Sequence, residues 1–290
     1  MYPAQFDYYR ASSVAEALSL LQQHDGAKLL AGGHSLLPMM KLRLAQPTAL
    51  VDIGRVAELK GIEAADGLLR IGALTPHAAV ASSALVRERC SLLAEAAAKI
   101  GDPQVRNRGT VGGNIAHADP ASDLPAVLVA LGATVVLRGP GHETGAPRRV
   151  AAASFFLDLL TTDLRAGEIL TAVEIPTGAP GTGSCYLKVE HPASGYAICG
   201  AAAVLTLAGG RIEAAALCFN GVAPVPVNAR GVAAALVGQP PDDSQLQQAM
   251  AHLAVPDPLD DIHASGSYRV HLARVYGQRA LQQARDRAAS

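Results

Sequence analysis

The chain has 290 residues, half of them hydrophobic and 17% charged. That is enough chain for two domains, or one with lobes, and enough apolar side chains to fill a core, so disorder is excluded. With 24 basic residues against 25 acidic ones, the formal net charge is -1, which excludes whole-protein attraction to nucleic acid or an anionic membrane.

Met1 to Asp7 carries neither the basic n-region nor the apolar h-region of a Sec-type signal. Ser13 and Glu16 then form a capping-box pair, and Val14, Ala17, Leu18 and Leu21 recur on one helical face. Lys28 to Ala31 is a short apolar strand stopped by Gly32-Gly33, and Pro38 limits any helix beginning at Ser35 to its first turn or later. Ala49 to Ile53 is a second strand.

A second lobe begins near Gly61, with a strand at Leu68 to Ala73. Thr75-Pro76 is read as the N-cap and first residue of a helix running toward Leu85. Leu92 to Ile100 is helical and ends at Gly101-Asp102-Pro103, and Val105 to Asn114 is read as a loop. Asp123 is expected to cap a helix containing Val127, Leu128 and Leu131, followed by a strand at Thr134 to Leu137. Gly139 to Pro147 is expected to be a surface turn, and Leu170 to Ile175 a strand closed by Pro176.

Thr177 to Ser184 is the strongest linker signal. Beyond it, Ala197 to Ala208 and Arg211 to Phe219 are apolar runs joined by Gly209-Gly210, a hairpin signature. Helices are predicted at Gly231 to Val237, Ser244 to Leu253 and Ser267 to Ala288, the last with Tyr268, Leu272, Val275 and Tyr276 on one face. Strands and helices alternate without a strict βαβ rhythm, so the predicted class is α+β. The boundaries drawn are 1–60, 61–176 and 177–290.

No apolar run reaches the ~20 residues of a membrane-spanning helix. Cys90, Cys185, Cys199 and Cys218 form no C-x-x-C pair, which argues for a reduced, cytoplasmic protein and against a zinc site or iron–sulfur cluster held by this chain. There is no Trp and only 4% of residues are aromatic, so stacking platforms for nucleic-acid bases are poorly supplied.

Two glycine pairs stand out: Ala31-Gly32-Gly33-His34-Ser35 and Thr110-Val111-Gly112-Gly113-Asn114. Paired glycines let backbone N–H groups approach an anion with no Cβ in the way, and Ser35, Thr110 and Asn114 add side-chain donors. Two such loops suit a diphosphate. A single Gly-Gly turn is more often structural, and these residues by themselves leave both readings open. Neither loop is G-x-G-x-x-G, and no G-x-x-x-x-G-K-[ST] occurs, so Rossmann and P-loop readings fail. Gly139-Pro140-Gly141 opens no helix, and Gly33-His34-Ser35-Leu36-Leu37 lacks the second glycine of a nucleophile elbow. His117 and Asp119 have no third His or Cys nearby and are read as solvated loop residues rather than a metal site.

The run Lys28-Leu29-Leu30-Ala31-Gly32-Gly33-His34-Ser35-Leu36-Leu37-Pro38 resembles the first FAD-binding loop of the medium, flavin-carrying subunits of the molybdenum hydroxylases, the family of xanthine dehydrogenase and carbon monoxide dehydrogenase. Asp102 to Asn114 resembles their second loop, and Asp119 to Ala126 continues the match. The resemblance covers essentially the whole chain.

It implies a two-lobed FAD-binding domain of the vanillyl-alcohol-oxidase (PCMH) type, followed by a smaller α+β C-terminal domain with an antiparallel sheet and helices. It also implies site residues. Lys28 to Leu36, with Ala31 to Ser35 at their centre, and Thr110, Val111, Gly112, Gly113 and Asn114 would wrap the FAD pyrophosphate, mainly through backbone N–H groups. Asp123 would accept hydrogen bonds from ribityl or ribose hydroxyls, Leu170 would line the adenine side, and Ile100 would pack on the flavin. Lys188 matches a cofactor contact, with Tyr186 beside the isoalloxazine. No catalytic or metal-ligating residue is implied in this chain.

The implied partners are a large subunit with a molybdenum cofactor and a small subunit with two 2Fe–2S clusters, in a dimer of heterotrimers. Electrons would pass through FAD to NAD+, a quinone or another acceptor. The chain departs from many relatives at Glu190 to Tyr196, where they carry a basic residue and Gly-Asp before the tyrosine. Two rival readings are a stand-alone flavin oxidase of the vanillyl-alcohol-oxidase type, with FAD linked through His34, and an adaptor with degenerate flavin loops.

Overall fold

A computed structural model describes residues 1–140 and 146–289. Of the expected turn Gly139 to Pro147, positions 141–145 lie outside the described residues, including Gly141 of the Gly-Pro-Gly stretch.

The N-terminal segment forms a parallel sheet ordered β1 (Asp7–Arg10), β3 (Ala49–Asp52), β2 (Lys28–Leu30). β1 has no apolar alternation to announce it. Helix α1 (Val14–Gln23) joins β1 to β2, and its N-cap Ser13 accepts the Glu16 N–H. The Glu16 carboxylate reaches back to the N–H and hydroxyl of Ser12, so the capping box closes one residue early. Val14, Ala17 and Leu18 bury against Val51 and Ile53, with Leu21 at the edge of that core. Helix α2 (Leu36–Lys41) carries Pro38 in its first turn, where no intrahelical N–H is needed.

The second sheet is wholly antiparallel, in the order β4 (Ile62–Ala65), β5 (Leu68–Gly72), β10 (Ile169–Pro176), β6 (Thr134–Arg138), β7 (Arg148–Ala151). The short pair β8 (Phe156–Asp158) and β9 (Thr161–Thr162) lies outside it. The associated helices are α3 (His77–Ser82), α4 (Ala84–Arg89), α5 (Ser91–Ala98), α6 (Pro103–Arg108), α7 (Val111–His117), α8 (Asp123–Ala130) and α9 (Ala152–Phe155).

Three expectations are corrected here. The helix toward Leu85 is two helices, broken at Ser83, which caps α4. Its start is capped by Pro76, while the Thr75 hydroxyl instead donates to the Gly61 carbonyl at 3.0 Å. The stretch Val105 to Asn114 is largely helical. Asp102 caps α6 by accepting the Val105 N–H at 2.8 Å, with Pro103 at the first position, and Thr110 caps α7. These caps outweigh the weak propensities of Asn and Gly. Asp123 is the first residue of α8, whose N-cap is Ser122.

The third sheet, ordered β11 (Thr182–Glu190), β12 (Ala197–Ala208), β13 (Arg211–Asn220), β14 (Val227–Asn228), is antiparallel. β11 begins at Thr182, so only 177–181 of the expected linker lie between strands. Gly209 and Gly210 have φ of +56° and +75°, the left-handed pair that a two-residue hairpin requires.

This sheet is covered on both faces, which explains its continuous apolar runs. Tyr186, Ala202 and Cys218 face the core shared with α5 and α8. The alternating set Cys185, Ala201, Ala203, Leu217 and Phe219 faces α10 (Arg230–Leu236), α11 (Asp243–Ala249) and α12 (Gly266–Ala288). The buried stripe of α12 is Leu272, Ala273, Gly277, Ala280, Leu281 and Ala284; Tyr268, expected on it, is exposed, and Val275 is half-buried. The small residues are what let the helix lie close on β11 and β12. Among the described residues no helix is long and apolar enough to cross a membrane.

Candidate functional site

Ala31 to Ser35 leaves β2 and turns into α2. Gly33 sits at φ +76°, a conformation that favours glycine. Gly32 is needed for a different reason: a Cβ there would lie 2.1 Å from the carbonyl oxygen of Arg108. The first loop therefore rests on the end of α6. At Gly113 a Cβ would stand 3.9 Å from the Cβ of Ala31. The two glycine loops, remote in sequence, form one surface.

Their backbone donors are used differently. No intramolecular hydrogen bond in the described residues takes the N–H of Gly32, Gly33, His34 or Ser35. In the second loop, Val111 N–H donates to Thr75 O at 3.0 Å and Gly112 N–H to Ala73 O at 2.8 Å. Gly113 N–H goes to the Thr110 hydroxyl at 3.2 Å, and Asn114 N–H to Thr110 O at 3.0 Å. The second glycine pair lies in the first turn of α7 rather than in the non-helical stretch expected from the sequence. Gly112 lets that helix press on Ala73, whose Cβ would be 2.5 Å from a Cβ at 112.

What the second loop leaves open is a gap and a side chain. Beside Gly113 an added Cβ would meet only the Thr110 hydroxyl, at 2.8 Å, and Ala31. Asn114 donates to the Ser122 hydroxyl at 3.1 Å, while its amide oxygen is buried without a partner. A row of unspent N–H groups, a gap at glycine and an orphaned acceptor fit a phosphate-bearing ligand that also carries hydroxyl donors.

Behind this surface lies a buried polar cluster. The Tyr186 hydroxyl donates to Asp123 Oδ1 at 2.6 Å, and Lys188 Nζ donates to Asp123 Oδ2 at 3.1 Å. Lys188 also donates to Lys99 O at 2.9 Å, and Lys99 Nζ in turn donates to Tyr186 O at 3.0 Å. The two lysines thus cross-link the end of α5 and β11. Burial raises the Asp123 carboxyl to about 6 despite Lys188 and Tyr186, which pull the other way. The same burial, with Asp123 adjacent, holds the Tyr186 phenol well above its usual value.

Ile100, Val111, Leu170 and Tyr186 share one core, Leu170 at a register shift in β10. Arg106 fixes the carbonyls of Ile100 and Gly101 at 2.9 and 2.8 Å. Leu29 and Ala31 pack on the N-terminal core instead, Lys28 is exposed at the start of β2, and Leu30 and Leu36 are half-buried. The divergent turn between β11 and β12 lies close to the site. A Cβ at Gly195 would be 3.7 Å from Gly101 Cα, and Ala197 N–H donates to Ala121 O. Tyr196 at its end is 48% exposed, and its phenol is raised by partial burial and by Asp119 and Asp123.

Sequence reasoning did not single out His77, Lys99 or Asn220. His77 is buried, its backbone N–H donating to Gly109 O at 3.0 Å, its ring Nδ1 without a partner and its imidazole pushed down to about 4 by burial. Its ring also sets the glycine at 109, where a Cβ would be 2.9 Å from His77 Cδ2. Asn220 ends β13 and lies beside the Tyr186 hydroxyl.

Comparison with known proteins identifies the family. Residues 4–178 match the family model described as FAD binding domain in molybdopterin dehydrogenase, and residues 184–284 match CO dehydrogenase flavoprotein C-terminal domain. The carbon monoxide dehydrogenase medium chain of Hydrogenophaga pseudoflava is 41% identical over all of both chains. A solved structure of carbon monoxide dehydrogenase from that organism, lacking the Mo-pyranopterin moiety of the molybdenum cofactor, has a chain that superposes with a TM-score of 0.95 at 42% identity, covering 99% of each chain. A chain of quinoline 2-oxidoreductase from Pseudomonas putida 86 superposes with a TM-score of 0.93 at 33% identity, covering 100% of each. The chain belongs to the family of FAD-binding flavoprotein subunits of the molybdopterin dehydrogenases.

Proposed function

We propose that this chain, as a member of that family, is the FAD-carrying electron-transfer subunit of a heterotrimeric molybdenum hydroxylase. Its partners are a large subunit bearing the molybdenum cofactor and a small subunit bearing two 2Fe–2S clusters, assembled as a dimer of heterotrimers in the cytoplasm. The boundaries 1–60, 61–176 and 177–290 divide it into two FAD-binding lobes and a C-terminal domain.

The observation that carries this reading is the pairing of the two glycine loops, with the N–H groups of Gly32 to Ser35 unspent beside the gap at Gly113. These N–H groups would bind the pyrophosphate. Asn114 and Asp123 would accept from ligand hydroxyls, Lys188 would offset the phosphate charge, and Ile100 and Leu170 would shield the rings. FAD bound there would supply both one-electron and two-electron transfer, which suits a relay between clusters and an acceptor. The chain's own part is to orient the cofactor and keep water from its buried side. Chains that superpose almost equally well, with TM-scores of 0.95 and 0.93, are named for carbon monoxide and for quinoline, which supports a substrate choice made by a partner subunit.

The test is to purify the chain alone and with its two partner subunits. Alone, it takes up FAD, shows the absorbance of an oxidised flavin, releases it into the supernatant on acid precipitation and hydroxylates nothing. Substrate turnover by the isolated chain, or a colourless chain after reconstitution with FAD, overturns the proposal.

A further inference from the structure

Tyr186 has one hydroxyl proton and two oxygen neighbours, Asp123 Oδ1 at 2.6 Å and Asn220 Oδ1 at 3.1 Å. The shorter contact, to a carboxylate, takes the proton. As placed, Asn220 Oδ1 faces a phenol oxygen whose proton is already given to Asp123; with the amide turned over about its last torsion, Nδ2, unpartnered in the first orientation, stands there as a donor to the phenol oxygen. With the amide so turned, the chain is directional: Asn220 N–H to Tyr186 oxygen, and Tyr186 O–H to Asp123.

The fold keeps room for it. Asn220 is 2% exposed and pairs across the sheet with Gly200. A Cβ at Gly200 would come within 2.1 Å of the amide atom that Asn220 turns toward the phenol and 2.4 Å of the Tyr186 hydroxyl. All three residues sit on the C-terminal sheet, whereas Asp123 begins α8.

We infer that Asn220 is a positioning residue for FAD, acting through Tyr186 to aim the Asp123 carboxylate at the ligand's hydroxyls. The inference rests on the flavin reading above and extends the cofactor site from β11 to the end of β13. A buried carboxylate must stay charged to accept a ligand hydroxyl, and a phenol already polarised by an amide donor holds it charged more effectively. Burial works against that charge, while the Lys188 ammonium, the Tyr186 hydroxyl and the more distant Lys99 work for it, so weakening the phenol's hydrogen bond moves Asp123 toward its neutral form.

The experiment is a double-mutant cycle on the full chain. FAD dissociation constants are measured by flavin fluorescence between about pH 5 and 8 for wild type, Asn220→Ala, Tyr186→Phe and the pair. Tyr186→Phe is expected to weaken binding about tenfold at neutral pH and Asn220→Ala about threefold, with the midpoint of acid-induced FAD release moving to higher pH in both. The double variant matches Tyr186→Phe, because Asn220 acts only through the phenol. Asn220→Ser, which keeps a short donor, covers the case of a misfolded alanine variant and retains binding within about twofold of wild type. An Asn220 effect of equal size in both backgrounds overturns the inference, and so does an unshifted midpoint in a folded variant. A wild-type chain that binds no FAD overturns the flavin reading and this inference with it.

Discussion

Lys188 Nζ lies 3.1 Å from each carboxylate oxygen of Asp123, and both side chains are at most 5% exposed. The pair joins β11 of the C-terminal sheet to the first turn of α8. Buried ion pairs contribute little net stability, but removing one partner leaves an uncompensated charge. Lys188→Met is therefore expected to lower unfolding free energy by about 3 kcal/mol at pH 8. The cost shrinks toward pH 5, because the stranded carboxyl can then take up a proton. Urea unfolding at both pH values measures this, and an equal loss at both is the unfavourable result.

Two buried groups give stability opposite slopes with pH. Asp123 is raised from 3.8 to about 6, so its favourable contribution is present below 3.8 and is lost as pH rises through 6. His77 is lowered from 6.5 to about 4, so its contribution is present above 6.5 and is lost as pH falls through 4. Between about pH 4 and 6 the two slopes largely cancel, each amounting to at most ~3 kcal/mol. His77→Phe removes one of them. The variant is expected to lose stability as pH rises across that window while the wild type stays nearly level, as read by thermal melts at several pH values.

The glycines separate folding from ligand binding. Gly32→Ala drives a Cβ into the Arg108 carbonyl, and no flexible side chain can yield there. It is expected to cost about 3 kcal/mol and to abolish FAD uptake. Gly113→Ala gains up to about 1 kcal/mol of helix propensity and disturbs only the Thr110 hydroxyl. Its stability should change by less than about 1 kcal/mol while FAD affinity falls at least tenfold, since the new methyl fills the gap beside Ala31. Unchanged affinity in Gly113→Ala would remove this gap from the binding site.

The two glycine loops and most strands are legible because turn residues interrupt clear apolar runs, and the Gly209-Gly210 hairpin is read from two residues alone. Helix α6 escapes a sequence reading although its start is written in the chain: Asp102-Pro103 is a cap followed by Pro at the first position, but the same residues also read as the stop that ends α5. Helix α7 is harder, because Gly112 and Gly113 are poor helix formers and the turn is held from outside by the carbonyls of Ala73 and Thr75. Asn220 carries no local signal at all. Its meaning depends on Tyr186, 34 positions away, and on the absent side chain at Gly200.

Arg269 is the clamp that holds the junction beside Asp123. Its guanidinium is buried, donates to both oxygens of Asp261 at 2.8 and 2.7 Å, and reaches the carbonyls of Ile198 and Gly221 at 2.8 and 2.6 Å. Those two residues lie where the C-terminal sheet grips the turn before α8: Gly221 N–H donates to Pro120 O and Ala197 N–H to Ala121 O. A lysine ammonium is a point donor and cannot serve a bidentate carboxylate and two carbonyls together. Arg269→Lys is expected to cost about 2 kcal/mol in urea unfolding, because at least one buried acceptor loses its donor. If the turn at Pro120 and Ala121 sets the position of Asp123, FAD affinity falls severalfold as well, and the loss grows with urea below the unfolding midpoint. Full affinity in a destabilised variant would show that the clamp serves the sheet alone.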